Sequence, residues 1–159
     1  MIIELRDSPF DAFDELARFT RERRDLAGRC GANAVFVGSM RDFNEGDAVS
    51  SMFLEHYPGM TERELGKLCE ESAADDDVIE VLVLHRVGRV EPGEHIVLVS
   101  VWTGHRAAAF RVCRAVMESL KHRAPFWKKE EIEGGSAGWR GTRPAERLVA
   151  VCRPRAAAL

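Results

Sequence analysis

An α+β fold with a mostly antiparallel sheet follows from three features of this sequence. Short β-rich apolar runs stand at 32–38, 49–57, 78–87 and 95–103. Helical spacing of apolar residues recurs in three places between and beside them. Glu91-Pro92-Gly93-Glu94, with proline and glycine in type II order, joins the last two strand runs through a tight turn.

Taken in order, Asp7-Ser8-Pro9 reads as a helix start, a polar cap followed by proline at the first helical position. Phe10, Phe13, Leu16 and Ala17 then carry the helix to about Leu26, before Gly28. Ala32 to Gly38 reads as a buried strand, and Arg41 to Ala48, with Asp42, Asn44, Gly46 and Asp47, as a loop. Val49 to Tyr57 is a second strand, broken by Pro58-Gly59. Thr61-Glu62-Arg63-Glu64 matches a capping box, in which Thr61 and Glu64 satisfy each other's free N–H groups. Leu65, Leu68, Cys69 and Ser72 give that helix its inner face.

Val78 to Val87 is the strongest strand, and Ile96 to Val101 alternate in the next. A helix from about Arg106 to His122 places Phe110, Cys113, Met117 and Leu120 on one face, and Pro125 ends it. Phe126 to Ile132 reads as a last strand, followed by the loop Gly134 to Gly138 and by Trp139. Residues 1–153 form one domain in this reading, and the tail 154–159 frays. From the second strand on, the order is β-α-β-β-α-β, the ferredoxin-like pattern.

A hydrophobic fraction of 45% with 31% charged residues is that of a globular chain with a real core, which excludes disorder as the default state. No apolar run approaches the roughly 20 residues of a membrane span, and the first residues lack a secretion signal, so a cytoplasmic protein is expected. Cys30, Cys69, Cys113 and Cys152 are too widely spaced for a zinc site or a redox dithiol and read as reduced, packed thiols. The five histidines show no metal-ligand spacing, so no metal is expected. Net charge is −3, against general nucleic-acid binding. The charge is uneven, however. Residues 62–80 are mostly acidic, whereas 105–129 hold Arg106, Arg111, Arg114, Lys121, Arg123, Lys128 and Lys129 against the single acid Glu118. A basic concentration within an acidic protein points to a local anion site.

Two places could build it. Thr103-Gly104-His105-Arg106 lies where a strand ends and a helix begins, so first-turn N–H groups, imidazole and guanidinium could receive phosphate or carboxylate. The plainer alternative has His105 capping the helix and Arg106 solvated. Lys121 ends the same helix, and Lys128 follows across the Ala-Pro break. Either a lysine there serves the helix dipole, or an apolar wall of Pro125, Phe126 and Trp127 lowers its proton affinity for proton transfer or oxyanion stabilisation. Arg41 directly follows a strand, where functional side chains are often presented. Glu55 to Thr61 is explained by strand, turn and cap.

From about residue 30 to 130, six segments in order resemble the large, catalytic subunit of molybdopterin synthase. They are Phe36-Val37-Gly38-Ser39-Met40-Arg41, Leu54-Glu55-His56-Tyr57-Pro58-Gly59-Met60, His85-Arg86-Val87-Gly88, Glu91-Pro92-Gly93-Glu94, Gly104-His105-Arg106 and Leu120-Lys121-His122-Arg123-Ala124-Pro125-Phe126-Trp127-Lys128-Lys129-Glu130. The resemblance implies an α/β hammerhead-type fold with added strands, in place of the ferredoxin-like topology. It implies a sulfurtransferase that makes the dithiolene of molybdopterin from cyclic pyranopterin monophosphate (precursor Z). The sulfur comes from the thiocarboxylated C-terminal Gly-Gly of a small ubiquitin-like subunit. The implied assembly is a heterotetramer around a dimer of large subunits, with no resident cofactor.

By position, the resemblance makes Lys121 the main catalytic candidate and Lys128 the second, with Arg41, His105 and Arg106 for the phosphate and pterin of the substrate. It also implies an arginine from the neighbouring large subunit beyond a C-terminal tryptophan. Arg143 is the candidate for it, with Arg140 nearly equivalent. His122 and Lys129 depart from the family pattern without touching the mechanism, and the match is poor after Ile132. The alternative is a non-catalytic module that docks a ubiquitin-like Gly-Gly tail. Joint retention of Arg41, His105, Arg106, Lys121 and Lys128 argues for the enzyme. An RNA-binding ferredoxin-like domain would need aromatic central strands and a basic surface, and the strands here are aliphatic.

Overall fold

The computed structural model describes residues 1–44, 47–74 and 77–132. Its elements are β1 (Ile2–Arg6), α1 (Ala12–Glu22), a short 3₁₀ turn (Arg24–Leu26), β2 (Ala32–Ser39), β3 (Phe43–Asn44) and β4 (Asp47–Glu55). After these come α2 (Met60–Ser72), β5 (Val78–Arg86), β6 (Gly88–Val90), β7 (His95–Thr103), α3 (Arg106–Arg123) and β8 (Trp127–Ile132).

The main sheet has the order β1-β5-β7-β2, antiparallel except for the parallel pair β1–β5. Both of its faces are covered at the central strands β5 and β7, which is why β5 reads as an almost unbroken apolar run, whereas β2, expected to be buried, leaves Val35 and Phe36 exposed at the edge. Val81 and Val83, with Val97, Val99 and Val101 of β7, pack against Leu65 and Cys69 of α2 and Val112, Val116 and Leu120 of α3. Leu82, Leu84, Leu98 and Trp102 face the other way, against Ala12 and Phe19 of α1. Each fully buried Leu or Val contributes roughly 1.5–3 kcal/mol of transfer free energy, so these two layers hold the fold.

A smaller sheet gathers around β4, which pairs antiparallel with β3, β6 and β8. Met40, Val49, Met52, Leu54 and Val90 form its own core. The predicted α+β class and mostly antiparallel pairing hold. The ferredoxin-like topology does not form, because β4 takes its partners in the small sheet and leaves the main one.

Several local expectations change. β1 was not predicted. The first helix starts three residues after Pro9, capped by Asp11, whose carboxylate accepts the N–H groups of Phe13 (2.8 Å) and Asp14 (3.1 Å). These bonds stabilise its charged form and lower its pKa. The expected loop 41–48 includes β3 and the start of β4, and β6 interrupts the approach to the turn. That turn forms as read: Gly93 takes φ +89° and the Glu94 N–H bonds the Glu91 carbonyl at 3.1 Å.

The capping box shifts frame. Gly59, at φ +78°, is the cap of α2, and the Glu62 carboxylate accepts its N–H at 2.6 Å. Thr61, fully buried, accepts the Tyr57 N–H instead, and Glu64 pairs with Lys67. On α3 the inner face is Ala108, Ala109, Val112, Cys113, Val116 and Leu120, and Phe110 is 70% exposed on the outside.

Candidate active site

The C-terminal end of α3 lies at the end of the main sheet that carries three of the candidate cations. Lys121 lies in its last turn with His122 and Arg123, the arrangement the helix dipole favours. Arg123 bridges to Glu71 of α2 at 2.8 Å, and Ser119 meets Ser72 at 3.0 Å, so the two helices are tied close to this end. The chain then breaks at Pro125, with the Phe126 N–H returning to the Ala124 carbonyl at 2.9 Å, and enters β8.

Lys128 stands opposite Leu54 of β4, and Glu130 opposite Met52. Strand alternation puts Lys128 and Glu130 on one face, the face on which Met52 and Leu54 are buried. Glu130 is only 3% exposed and its carboxylate pairs with the Lys128 ammonium, which is 39% exposed. Lys128 is therefore held by a buried counter-charge while its head still reaches solvent.

The aromatic wall expected near these lysines forms in part. Pro125, Phe126 and Trp127 are all half-buried, but the Phe126 ring turns inward and stacks on His85. Arg41, exposed, sits just past β2 with its guanidinium over the Phe43 ring at 5.0 Å. Its neighbour Met40 bonds the Glu94 carbonyl (2.9 Å), which fixes the start of the loop against the turn before β7.

His105 and Arg106 lie elsewhere. β2 and β7 run antiparallel with Ala32 opposite Thr103 and Ser39 opposite His95. Arg41 thus follows the His95 end, and His105 follows the Thr103 end. The eight residues of β2 set these ends about 25 Å apart. α3, with 18 residues, begins at Arg106 and spans about 27 Å, so it delivers Lys121 to the Arg41 end. One chain brings Arg41, Lys121 and Lys128 to one end of the main sheet and His105 and Arg106 to the other.

The α3 N-terminus is also already engaged. Asp77 accepts the His105 backbone N–H at 2.9 Å and meets its ring Nδ1 at 3.1 Å, and the Gly104 N–H bonds the Asp77 carbonyl at 3.1 Å. A side chain on Gly104 would collide with this carboxylate, since a Cβ there would lie 2.5 Å from it. The expected anion pocket therefore holds an internal carboxylate within the chain. The His105 side chain nevertheless remains 85% exposed, and Arg106 is exposed beside it.

Asp77 and Glu130 are the residues that sequence reasoning passed over. In the sequence Asp77 stands out only as one member of the acidic run. Glu130 was legible in principle, two residues beyond Lys128 on a strand. Burial pushes the Cys69 thiol up to about 11 and raises Cys113, so neither is a nucleophile. Among the described residues no cluster of His, Cys, Asp or Glu could hold a metal, and no described helix is long and apolar enough to cross a membrane. Arg140, Arg143 and Cys152 lie outside the described residues.

Fold and site define an α+β protein of two sheets that carries separate cationic groups at the two ends of its main sheet. Residues 5–123 match the model of the MoaE protein family, and the chain belongs to that family. It is 47% identical over 135 residues to the molybdopterin synthase catalytic subunit of Pseudomonas aeruginosa, covering 85% of this chain and 87% of that one. Among solved structures it resembles the molybdopterin biosynthesis MoaE protein of Burkholderia ambifaria, with 40% identity, TM-score 0.69 and 86% of each chain covered. It also resembles molybdopterin synthase from Staphylococcus aureus, with 27% identity, TM-score 0.72, 87% of this chain and 96% of that chain.

Proposed function

We propose that this chain is the catalytic subunit of a molybdopterin synthase, a sulfurtransferase. In this reading it moves sulfur from the thiocarboxylated tail of a small ubiquitin-like subunit onto cyclic pyranopterin monophosphate. Family membership and the name of its close bacterial relatives support the activity. The observation that carries the site is the convergence of Arg41, Lys121 and Lys128 at one end of the main sheet.

The chemistry needs cations. The thiocarboxylate sulfur attacks a carbon of the substrate and displaces the oxygen substituent there, which leaves with a proton; water then cleaves the acyl–sulfur bond, leaving a thiolate on the pterin and a carboxylate on the tail. Negative charge builds on the acyl oxygen during that cleavage, and a fixed ammonium stabilises it. Lys121 takes this role and the associated proton transfer. Lys128, oriented by Glu130, holds the tail carboxylate. Arg41 binds substrate phosphate. In this reading Arg143 of the neighbouring large subunit is a further substrate contact.

His105 and Arg106 serve the same substrate only if a second copy of the chain supplies them. The separation along α3 forbids their joining Lys121 within one chain. A two-fold dimer setting the N-terminal end of one α3 near the C-terminal end of its mate completes two equal sites. The assembly is then a dimer of large subunits with a small subunit on each, acting in the cytoplasm.

Purified chain, precursor Z and thiocarboxylated small subunit test the activity. Molybdopterin should form, and Lys121→Ala should abolish it while small-subunit binding is kept. Tight binding without product from the unmodified chain would leave only a tail-docking module.

A further inference from the structure

The two lysines of the proposed site are joined by a short connector, and the connector rests on one buried ring. His85 is the next-to-last residue of β5, flanked by Leu5 of β1 and Val97 of β7. It continues the Val81, Val83 face of that strand, the face covered by α2 and α3. Its position is therefore set by a strand paired on both sides.

The ring orientation is set as well. His85 Nδ1 lies 2.7 Å from the Arg86 carbonyl oxygen, which can only accept, so Nδ1 carries the hydrogen. Phe126 lies face to face on this ring, centroids 4.1 Å apart and planes within 8°. The strand end beneath is clamped in turn. The buried Arg86 guanidinium donates to the carbonyls of Arg6 (3.2 Å), Val87 (3.2 Å) and Arg89 (2.6 Å).

Phe126 is five residues past Lys121 and two before Lys128. We infer that His85 is a positioning residue for the proposed reaction: by stacking on Phe126 it fixes the Ala124–Phe126 connector and so the relative placement of Lys121 and Lys128. The inference rests on the catalytic reading of those lysines. A leucine would fill the same volume, but it has no flat face and no donor to hold a plane. The predicted cost of losing the ring is misplacement of the cations, and a displacement of about 1 Å can cost up to a hundredfold in rate.

The test compares His85→Leu, His85→Phe, Phe126→Leu and the double variant His85→Leu/Phe126→Leu in the sulfur-transfer assay. Melting temperature and small-subunit affinity are measured alongside. Assays run well below the melting temperature of every variant. His85→Leu and Phe126→Leu should each lower kcat about tenfold or more, with KM for precursor Z and small-subunit affinity little changed. His85→Phe, which keeps the stack, should recover most of that loss. The double variant should be no worse than either single one, because both remove the same contact.

Wild-type kcat in Phe126→Leu, or a His85→Leu variant that loses melting temperature alone, would overturn the inference. If His85→Leu does not fold, Phe126→Leu and His85→Phe still decide it from the other side of the stack. Lys121→Ala, run in parallel, separates the two readings. Activity that survives in Lys121→Ala removes the catalytic assignment itself, whereas its loss there with a normal Phe126→Leu removes the positioning role alone.

Discussion

The two ends of the main sheet are built on different terms. At the Arg41–Lys121–Lys128 end, the segment that carries Lys128 stands on buried supports: Glu130 beside Lys128, His85 beneath Phe126, and the Arg86 clamp at the strand end. At the His105–Arg106 end the groups are exposed, and one carboxylate, Asp77, organises them. An end that must hold reacting groups in place needs such supports. An end that completes a neighbour's site needs exposed side chains, and the neighbour supplies the rest. The contrast fits a catalytic half and a donated half of one site.

The largest effect should come from the supported end. Lys121→Ala is expected to reduce molybdopterin formation by about 100-fold or more, with the melting temperature unchanged because Lys121 is exposed. Arg106→Ala should act similarly on activity and leave the isolated fold intact. An Arg106→Ala chain with full activity would break the idea of a donated half.

Stability gives the next contrast. Lys128→Ala leaves the Glu130 carboxylate buried without that partner. The expected loss is about 1–2 kcal/mol by urea unfolding, below the range for fully buried pairs because Lys128 is partly solvated. The double change Lys128→Ala/Glu130→Gln should recover part of it. No loss in the single variant would mean that the pair does not support the lysine.

The same end should respond to acid. Burial holds His85 neutral, its pKa depressed from 6.5 to about 4. The unfolded chain therefore takes up the proton first, so this contribution is complete above about pH 6.5 and fades as pH falls toward 4. At most about 3 kcal/mol is involved. In His85→Phe that part of the acid slope should vanish from the unfolding free energy measured between these pH values. The smallest effect belongs to the carboxylate at the exposed end. Asp77→Asn should cost under about 1 kcal/mol while strengthening inorganic phosphate binding near His105, read by chemical-shift titration of the His105 ring.

Much of this was legible in the sequence, but unevenly. The candidate cations could be named from motifs because residue types keep their chemistry wherever the chain takes them. Their separation was hidden, because it depends on the β2–β7 register and on the direction of α3. β4 shows the same limit: its local pattern says strand, and only non-local pairing assigns it to the small sheet. Phe110 misled for a local reason. The apolar run Ala107 to Phe110 admits two helix faces, and the sheet selects the one with the small residues Ala108 and Ala109. Gly59 displaced Thr61 as a cap because the left-handed turn after Pro58 starts the helix earlier than the polar pattern suggests.

In the proposed dimer, one site takes Lys121 from one chain and His105 with Arg106 from its mate. Differently tagged Lys121→Ala and Arg106→Ala chains, each inactive alone, can be co-expressed and assayed for molybdopterin formation. Random pairing makes half of the dimers mixed, and each mixed dimer holds one site with neither change. Activity should return to roughly a quarter of wild type. Mixed dimers that form, as shown by double-tag purification, yet stay inactive would contradict the account.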